Sequence, residues 1–80
     1  MKVAISLKEN ELVLNNLLHT LEIKGFKTSR SSSLYTIWVY GLQDVYFGDN
    51  ALQLTKENDF TNFRIDTWDI QYFEVHKEEN

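Results

Sequence analysis

The chain has 80 residues, a net charge of −4, no cysteine, and two Trp, four Tyr and five Phe residues. Eighty residues form one domain, and without cysteine that domain has no disulfide and no thiolate for metal binding or nucleophilic catalysis. The negative charge argues against non-specific binding to nucleic acid, whose phosphates attract cations. No run of about 20 apolar residues is present to cross a bilayer, and the first residues do not resemble a signal peptide. We therefore expect a single cytoplasmic domain over 1–80, with a disordered tail at 77–80.

The chain opens with the alternation of apolar and polar residues that is typical of a β-strand. Val3, Ile5 and Leu7 carry the large apolar side chains, and polar or small residues lie between them. Two of these three residues are β-branched, which favours extended backbone. We expect a strand over 2–7.

An amphipathic helix follows the first strand. Ser6 and Glu9 fit a capping box, and Asn10 is a competing N-cap. Gly25 suits the left-handed position that follows a helix. The spacing of the apolar residues predicts a helix over about 9–24 with one apolar face. That face consists of Val13, Leu14, Leu17, Leu18 and Leu21.

From residue 26 onward the pattern changes to strands separated by turns. Residues 34–40 are apolar on both faces, which is typical of a central strand. Residues 51–57 fit either a strand, from their alternating leucines, or a short helix capped by Asp49 or Asn50; we favour the strand. The predicted strands are 26–30, 34–40, 45–47, 51–55, 61–66 and 70–76, with turns at 31–33, 41–44, 48–50, 56–59 and 67–69.

These elements predict an α+β fold in which one amphipathic helix packs on a mostly antiparallel sheet. The order is β-α-β-β-β-β(-β), with five or six strands drawn from these segments. Because short turns join the strands that follow the helix, we expect them to form a meander. The helix covers one face of it, since its leucines have no other apolar surface to bury against.

The acidic and histidine residues do not form a recognisable metal-binding or catalytic motif. Neither the turn at 48–50 nor the pair Asp66 and Asp69 continues as a calcium-binding loop. His19 and His76 form no spaced set of zinc ligands. No glycine-rich phosphate loop is present, and nothing positions a nucleophile or an oxyanion donor. We expect no metal, no cofactor and no enzymatic activity.

Acidic and aromatic residues are concentrated in the second half of the chain. Residues 41–80 contain nine acidic residues and three basic ones, whereas 1–40 contain three acidic residues and five basic ones. Aromatic anchors with an acidic rim are typical of a surface that binds a basic protein. If Phe73 and Val75 of the last strand face the core, Trp68 and Tyr72 are exposed among the carboxylates. The predicted partner-binding residues are Asp44, Tyr46, Asp49, Asp59, Asp66, Trp68, Asp69, Tyr72 and Glu74.

These features favour a small acidic protein-binding module. We expect a stoichiometric inhibitor of a basic or nucleic-acid-handling protein, of the phage anti-defence, host-takeover or toxin-immunity type. The abundance of lysine and asparagine is common in products of AT-rich bacterial or phage genomes. The expected partner is another protein, and neither nucleic acid nor membrane is expected to bind.

Two alternatives remain open. One is a nucleic-acid-binding small β-barrel-like domain that stacks bases on strand aromatics beside cations. It would use Trp38, Tyr40, Lys27 and Arg30. The other is a structural phage subunit that forms a homo-oligomer through an exposed sheet edge.

Overall fold

The structure, a computed structural model, describes residues 1–32 and 35–77. One helix packs on two antiparallel sheets, which confirms the predicted α+β fold. The described residues form seven strands, compared with the five or six expected. The elements are β1 (Lys2–Leu7), α1 (Glu11–Ile23), β2 (Lys27–Arg30), β3 (Thr36–Tyr40), β4 (Leu42–Gly48), β5 (Ala51–Lys56), β6 (Asn62–Asp66), a 3₁₀ turn (Thr67–Asp69) and β7 (Ile70–His76). Apart from Lys77, the tail expected at 77–80 lies outside the described residues.

The strands form a four-stranded sheet, β2-β3-β1-β7, and a three-stranded sheet, β4-β5-β6. The first strand therefore lies inside the first sheet, antiparallel to both β3 and β7. The expected single meander is wrong, because the strands divide between two sheets and β7 pairs with β1 rather than with its neighbour in sequence, β6. The first and last strands are therefore hydrogen-bonded neighbours in one sheet, a contact that hairpins between successive strands would not provide.

The helix begins one residue after Asn10, which is the cap that competed with Ser6. The Asn10 side chain accepts a hydrogen bond from the Val13 backbone N–H at 3.2 Å, which satisfies one of the unpaired donors of the first turn. Ser6 lies in β1 instead, and its hydroxyl bonds to that of Thr36 at 2.9 Å. The helix is consequently shorter than the predicted 9–24.

The helix ends at the glycine that the sequence indicates. Gly25 has φ +85°, and its N–H donates to the Glu22 carbonyl at 2.9 Å. The Phe26 N–H donates to the Leu21 carbonyl at 2.9 Å. This pair of bonds is a Schellman motif, and it turns Phe26 back into the core.

The core lies between the helix, the inner face of the four-stranded sheet and the inner face of the second sheet. Alternate residues of β1 and β3 face the helix, as their period of two requires. Their neighbours point to the outer face of the same sheet. The buried cluster consists of Val3, Ile5, Leu7, Leu14, Leu17, Leu21, Phe26, Ile37, Val39, Leu42, Leu52, Leu54 and Ile65.

The chain passes from one sheet to the other at Gly41. This residue has φ +65°, which an L side chain rarely adopts. The adjacent Leu42 N–H donates to the Met1 carbonyl at 2.9 Å, and the Glu57 N–H donates to the Gly41 carbonyl at 3.0 Å. The turn expected at 41–44 is therefore a single-residue corner, and β4 begins directly after it.

The other boundaries follow from local backbone conformation. Asp49 and Asn50 both have positive φ, at 52° and 60°, as the two central residues of a type I′ hairpin require. That hairpin joins β4 to β5, so the strand favoured for 51–57 is present. Tyr35 also has positive φ, at 60°, and β3 therefore begins at Thr36 rather than at the expected residue 34, which lies outside the described residues.

Candidate protein-binding surface

Two hydrogen bonds to one backbone carbonyl join the β4–β5 hairpin turn to the 3₁₀ turn. The Asn50 carbonyl accepts bonds from the backbone N–H and the hydroxyl of Thr67, both at 3.0 Å. The Asp66 side chain caps the 3₁₀ turn by accepting from the Trp68 backbone N–H at 2.8 Å. These bonds make one structural unit of the two turns, which we call the acidic corner. It comprises Asp49, Asn50, Asp66, Thr67, Trp68 and Asp69.

Trp68 is the aromatic residue of the acidic corner. The residue is 77% exposed. The ammonium group of Lys8 lies 4.6 Å from the ring centroid, in cation–π range. The Lys8 backbone N–H donates to the Asp69 carbonyl at 3.1 Å, so the lysine itself is held beside the corner. The indole is thus presented to solvent from a fixed backbone.

Two further exposed aromatic residues lie beyond the 3₁₀ turn. Phe47 and Tyr72 are 56% and 61% exposed, and the Phe47 ring lies 5.2 Å from that of Phe73. Phe47, Tyr72 and Phe73 line a small cavity of about 120 Å³. Thr67 and Ile70 also line it, so this aromatic surface adjoins the acidic corner.

A larger groove of about 360 Å³ lies between β6 and the helix. Asp66 and Asp69 line one part of this groove and also belong to the acidic corner, so the groove adjoins the corner. The helix contributes apolar and neutral polar side chains. The lining residues are Val13, Asn16, Leu17, Thr20, Phe63, Arg64, Ile65, Asp66 and Asp69.

The fold brings five of the nine predicted partner-binding residues to this region. Asp49, Asp66, Trp68 and Asp69 belong to the acidic corner, and Tyr72 lines the adjoining aromatic cavity. The condition set for Trp68 and Tyr72 is met, since the opposite face of β7 packs against the core through Phe73 and Val75. The Arg64 guanidinium donates to the Asp49 carbonyl at 3.4 Å and adds one cation.

The other four predicted residues lie elsewhere. Asp44 pairs with Thr55 in the register of β4 and β5, and Asp59 lies in the β5–β6 turn, so both are at the opposite end of the second sheet. Tyr46 faces away from the core on that sheet, with its ring so close to Gly48 that a Cβ there would lie 2.7 Å from the phenol oxygen. Glu74 lies on the outer face of the first sheet.

Asp59 has a structural role in its turn. Hydrogen bonds from the Thr61 side chain and backbone, followed by one from Lys56, lower the pKa of the Asp59 carboxyl below its ordinary value of 3.8. The Thr61 N–H is 3.1 Å from Oδ1, and the Lys56 ammonium is 3.2 Å from Oδ2. This carboxylate stabilises its own turn, which is remote from the acidic corner.

The outer face of the first sheet carries a second aromatic group. The Trp38 ring is 6.4 Å from Tyr40 and 5.1 Å from His76, and the Lys2 ammonium lies 5.0 Å from the Trp38 centroid. Glu74 bonds to His76 at 2.8 Å on the same face. The strand register adds Lys27 opposite Tyr40.

Arg30, which the nucleic-acid alternative also required, does not join this face. Its guanidinium lies 3.9 Å from the carboxylate of Glu11 on the helix. That alternative therefore keeps Trp38, Tyr40 and Lys27, gains Lys2 and loses Arg30.

Sequence reasoning did not single out three of the residues that shape the site. The sequence pattern marks Lys8 and Arg64 only as charges, and Phe47 only as one of the strand aromatics that could stack bases. The Asp49-Asn50 pair was the available signal for Phe47, because a two-residue hairpin turn places that aromatic close to the corner. No comparable local signal exists for Lys8.

Within residues 1–32 and 35–77, no three His, Asp or Glu side chains come together as a metal site. No helix in these same residues is long and apolar enough to span a membrane. The fold and the surface together define a small α+β domain with an acidic, aromatic corner. Comparison with known proteins adds no assignment, since no family model, curated protein or solved structure matches the chain.

Proposed function

We propose that this protein binds a basic protein through the acidic corner and inhibits it stoichiometrically. The observation that carries the proposal is Trp68, which is 77% exposed although its backbone N–H is hydrogen-bonded to Asp66. An exposed indole on a fixed backbone suits a binding anchor, because little conformational freedom is lost when a partner covers it. Phe47 and Tyr72 extend the apolar surface beside it.

The charges around Trp68 favour a basic partner. Asp49 and Asp66 are exposed and Asp69 is half-buried, and all three belong to the same corner. Carboxylates at the rim of an interface raise the rate of association with a positively charged surface, and salt screens this effect. Lys8 and Arg64 are the nearby cations and leave the corner net negative.

We propose binding without catalysis. General acid–base chemistry in proteins uses carboxylates in desolvated surroundings that differ from one another. Asp49 and Asp66 are exposed to solvent. There they can attract a basic partner, but water weakens their electrostatic effect on a reacting group. A nucleic-acid-handling protein of the cytoplasm, with a basic cleft, is the class of target that fits best.

Affinity capture tests this proposal. The immobilised protein is exposed to bacterial lysate at low and high salt, and each retained protein is purified and titrated calorimetrically. We expect a basic protein that binds at one-to-one stoichiometry, is retained at low salt and is lost at high salt. Trp68→Ala abolishes its capture, whereas the control Leu12→Ala, which removes a residue that is 69% exposed on the helix, retains it. Capture that Trp68→Ala leaves unchanged, or retention of no basic protein, would contradict the proposal.

A second candidate function is binding of single-stranded nucleic acid on the outer face of the first sheet. The observation that favours it is the pair Trp38 and Tyr40 beside Lys2 and Lys27, because aromatic rings flanked by cations can stack bases. The test uses Trp68→Phe, in which Trp38 is the only indole. Quenching of Trp38 fluorescence by oligothymidylate, but not by heparin of equal charge, is expected if bases stack there. Equal quenching by both polyanions, or by neither, would exclude it.

A further inference from the structure

The groove between α1 and β6 runs along the backbone edge of a strand. Four consecutive residues of β6, 63–66, line it. Successive side chains of a strand point to opposite faces of a sheet, so a groove on one face would touch only alternate residues. A groove that touches all four must lie against the edge itself. Within the part of the chain that the structure describes, β6 pairs only with β5, and this edge is open.

The opposite wall of the groove is a single stripe of the helix. Val13, Asn16, Leu17 and Thr20 have the spacing i, i+3, i+4 and i+7, which places them on one side over two helical turns. Seven helical residues rise about 10 Å, and the three steps from residue 63 to residue 66 also span about 10 Å. The two walls therefore match in length, and the groove holds an extended segment of about four residues.

We propose that this groove binds an extended peptide segment of the partner, which adds to β6 as a further strand beneath the helix. Strand addition to an open edge beside a helix uses main-chain hydrogen bonds for affinity and side-chain pockets for selectivity. The volume of about 360 Å³ lies within the range of specific ligand sites. The inference rests on the proposed function, because the segment belongs to the protein that the acidic corner binds.

The lining specifies the side chains of the segment. Of the lining residues, Leu17 and Ile65 are buried and Val13 is half-buried, so one side of the segment is apolar and, because it is extended, β-branched. Asp66 and Asp69 select lysine or arginine on the segment. Asp69 is half-buried as a residue, and its carboxylate makes no hydrogen bond or ion pair within the described residues, so it has an unused acceptor to offer a cation.

Arg64 does not cancel this charge. Its guanidinium donates a hydrogen bond to the Asp49 carbonyl and so lies at the hairpin turn. The groove therefore presents two carboxylates to an incoming strand, and the single cation is turned to one end. A basic segment is favoured over an acidic one.

A peptide-binding experiment on the full chain tests the inference. The probe is the fluorescein-labelled peptide Ser-Thr-Val-Lys-Val-Thr-Ser, compared with the same peptide carrying Glu in place of Lys. We expect the lysine peptide to bind about three-fold or more tightly, as one or two partly exposed ion pairs would allow. Asn16→Arg, which places bulk and positive charge in the groove, abolishes binding. Asn15→Arg is the matched control, since Asn15 is the exposed neighbouring residue on the helix and does not line the groove.

Hydrogen exchange locates the bound strand. Addition to β6 slows exchange of amides in Asn62–Asp66, and leaves the other edge strands, β2, β4 and β7, unchanged. Protection at β2, β4 or β7, equal affinity for both peptides, or equal loss in Asn15→Arg and Asn16→Arg would overturn the inference. Protection of β6 in the free protein, together with a dimeric mass in solution, would show that a second copy fills the groove, and would also overturn it.

The captured partner separates this inference from the proposed function. If Trp68→Ala abolishes capture while Asn16→Arg retains it, the protein binds through the acidic corner and the groove inference fails alone. If the lysine peptide binds as expected but no basic protein is captured, the proposed function fails and the groove is a peptide site in its own right.

Discussion

The Asn50 carbonyl and the Thr67 side chain join the two turns of the acidic corner. Asn50 is a central residue of the hairpin turn, with φ +60°, and the Thr67 N–H and hydroxyl both reach its carbonyl at 3.0 Å. The hairpin turn is thus bonded to a segment outside the hairpin. It fixes the segment that presents Trp68, and rigidity of the candidate anchor depends on this link.

Thr67→Val removes the hydroxyl from this link and keeps the shape of the side chain. We expect a loss of about 0.5–1.5 kcal/mol in the free energy of unfolding, as for a typical hydrogen bond. Urea denaturation measures it. Thr28→Val is the control, because Thr28 is a half-buried strand residue whose hydroxyl makes no hydrogen bond within the described residues. If the two variants are equally stable, the Thr67 hydroxyl does not stabilise the corner.

Asp59 predicts a pH dependence of stability at the far end of the second sheet. Its pKa is lowered in the folded state, first by the Thr61 side chain, so its ionised form stabilises the fold. That contribution is complete above the ordinary value of 3.8 and is lost as the pH falls through the lower, folded-state pKa. Asp59→Asn is therefore expected to be less stable than wild type at pH 6, and equally stable well below pH 3.8.

Urea midpoints at both pH values measure this difference. Thr61→Val removes the largest single cause of the lowered pKa, and is expected to weaken the pH dependence without abolishing it, since the Thr61 N–H and Lys56 still bond to the carboxylate. A difference between wild type and Asp59→Asn that stays constant from pH 6 to the acid limit would show that the charge of Asp59 has no part in it.

The sequence predicts most elements of this fold because their signals are local. The alternation in 70–76 and the spacing of the helix leucines are visible within a single window, and β7 and α1 lie close to the predicted bounds. The pairing of β1 with β7 was not predictable in this way. Val3 and Val75 are register partners but are separated by almost the whole chain, and no local pattern records which distant strand a strand will join.

The same distinction applies to the candidate site. Trp68 and the flanking Asp66 and Asp69 were identified because they are neighbours in the chain. Their relation to Asn50 and to the helix depends on packing, as does the groove, whose two walls come from α1 and β6. Asp44 and Asp59 show the converse, since their resemblance to the other turn aspartates in sequence does not bring them to the same surface. Aspartate at a turn often has a purely local role, as it does at Asp59.

The helix leucines predict a sharp contrast between two identical substitutions. Leu14 is completely buried, whereas Leu12 is 69% exposed. Leu14→Ala is expected to cost about 2–5 kcal/mol, from lost apolar burial and the cavity left behind. A domain of this size has a total stability of about 4–12 kcal/mol, so this one substitution removes a large fraction of it. Leu12→Ala is expected to stay within about 0.5 kcal/mol of wild type. Circular dichroism during urea denaturation measures both, and similar costs would mean that the leucine stripe does not face the core.

Gly41 predicts how much the corner between the two sheets depends on backbone conformation alone. A Cβ at this position would meet nothing within 4 Å, but φ is +65°. Gly41→Ala therefore introduces no clash, and its expected cost is the left-handed conformation itself, about 1–2 kcal/mol, or a fall of about 4–8 °C in Tm for each kcal/mol. Gly41→Asn is expected to cost less, because asparagine tolerates this region better than alanine. Thermal denaturation of both variants separates conformation from packing. If asparagine, the larger residue, is the more destabilising, steric crowding rather than φ controls this corner, and the passage of the chain between its two sheets has a different physical basis.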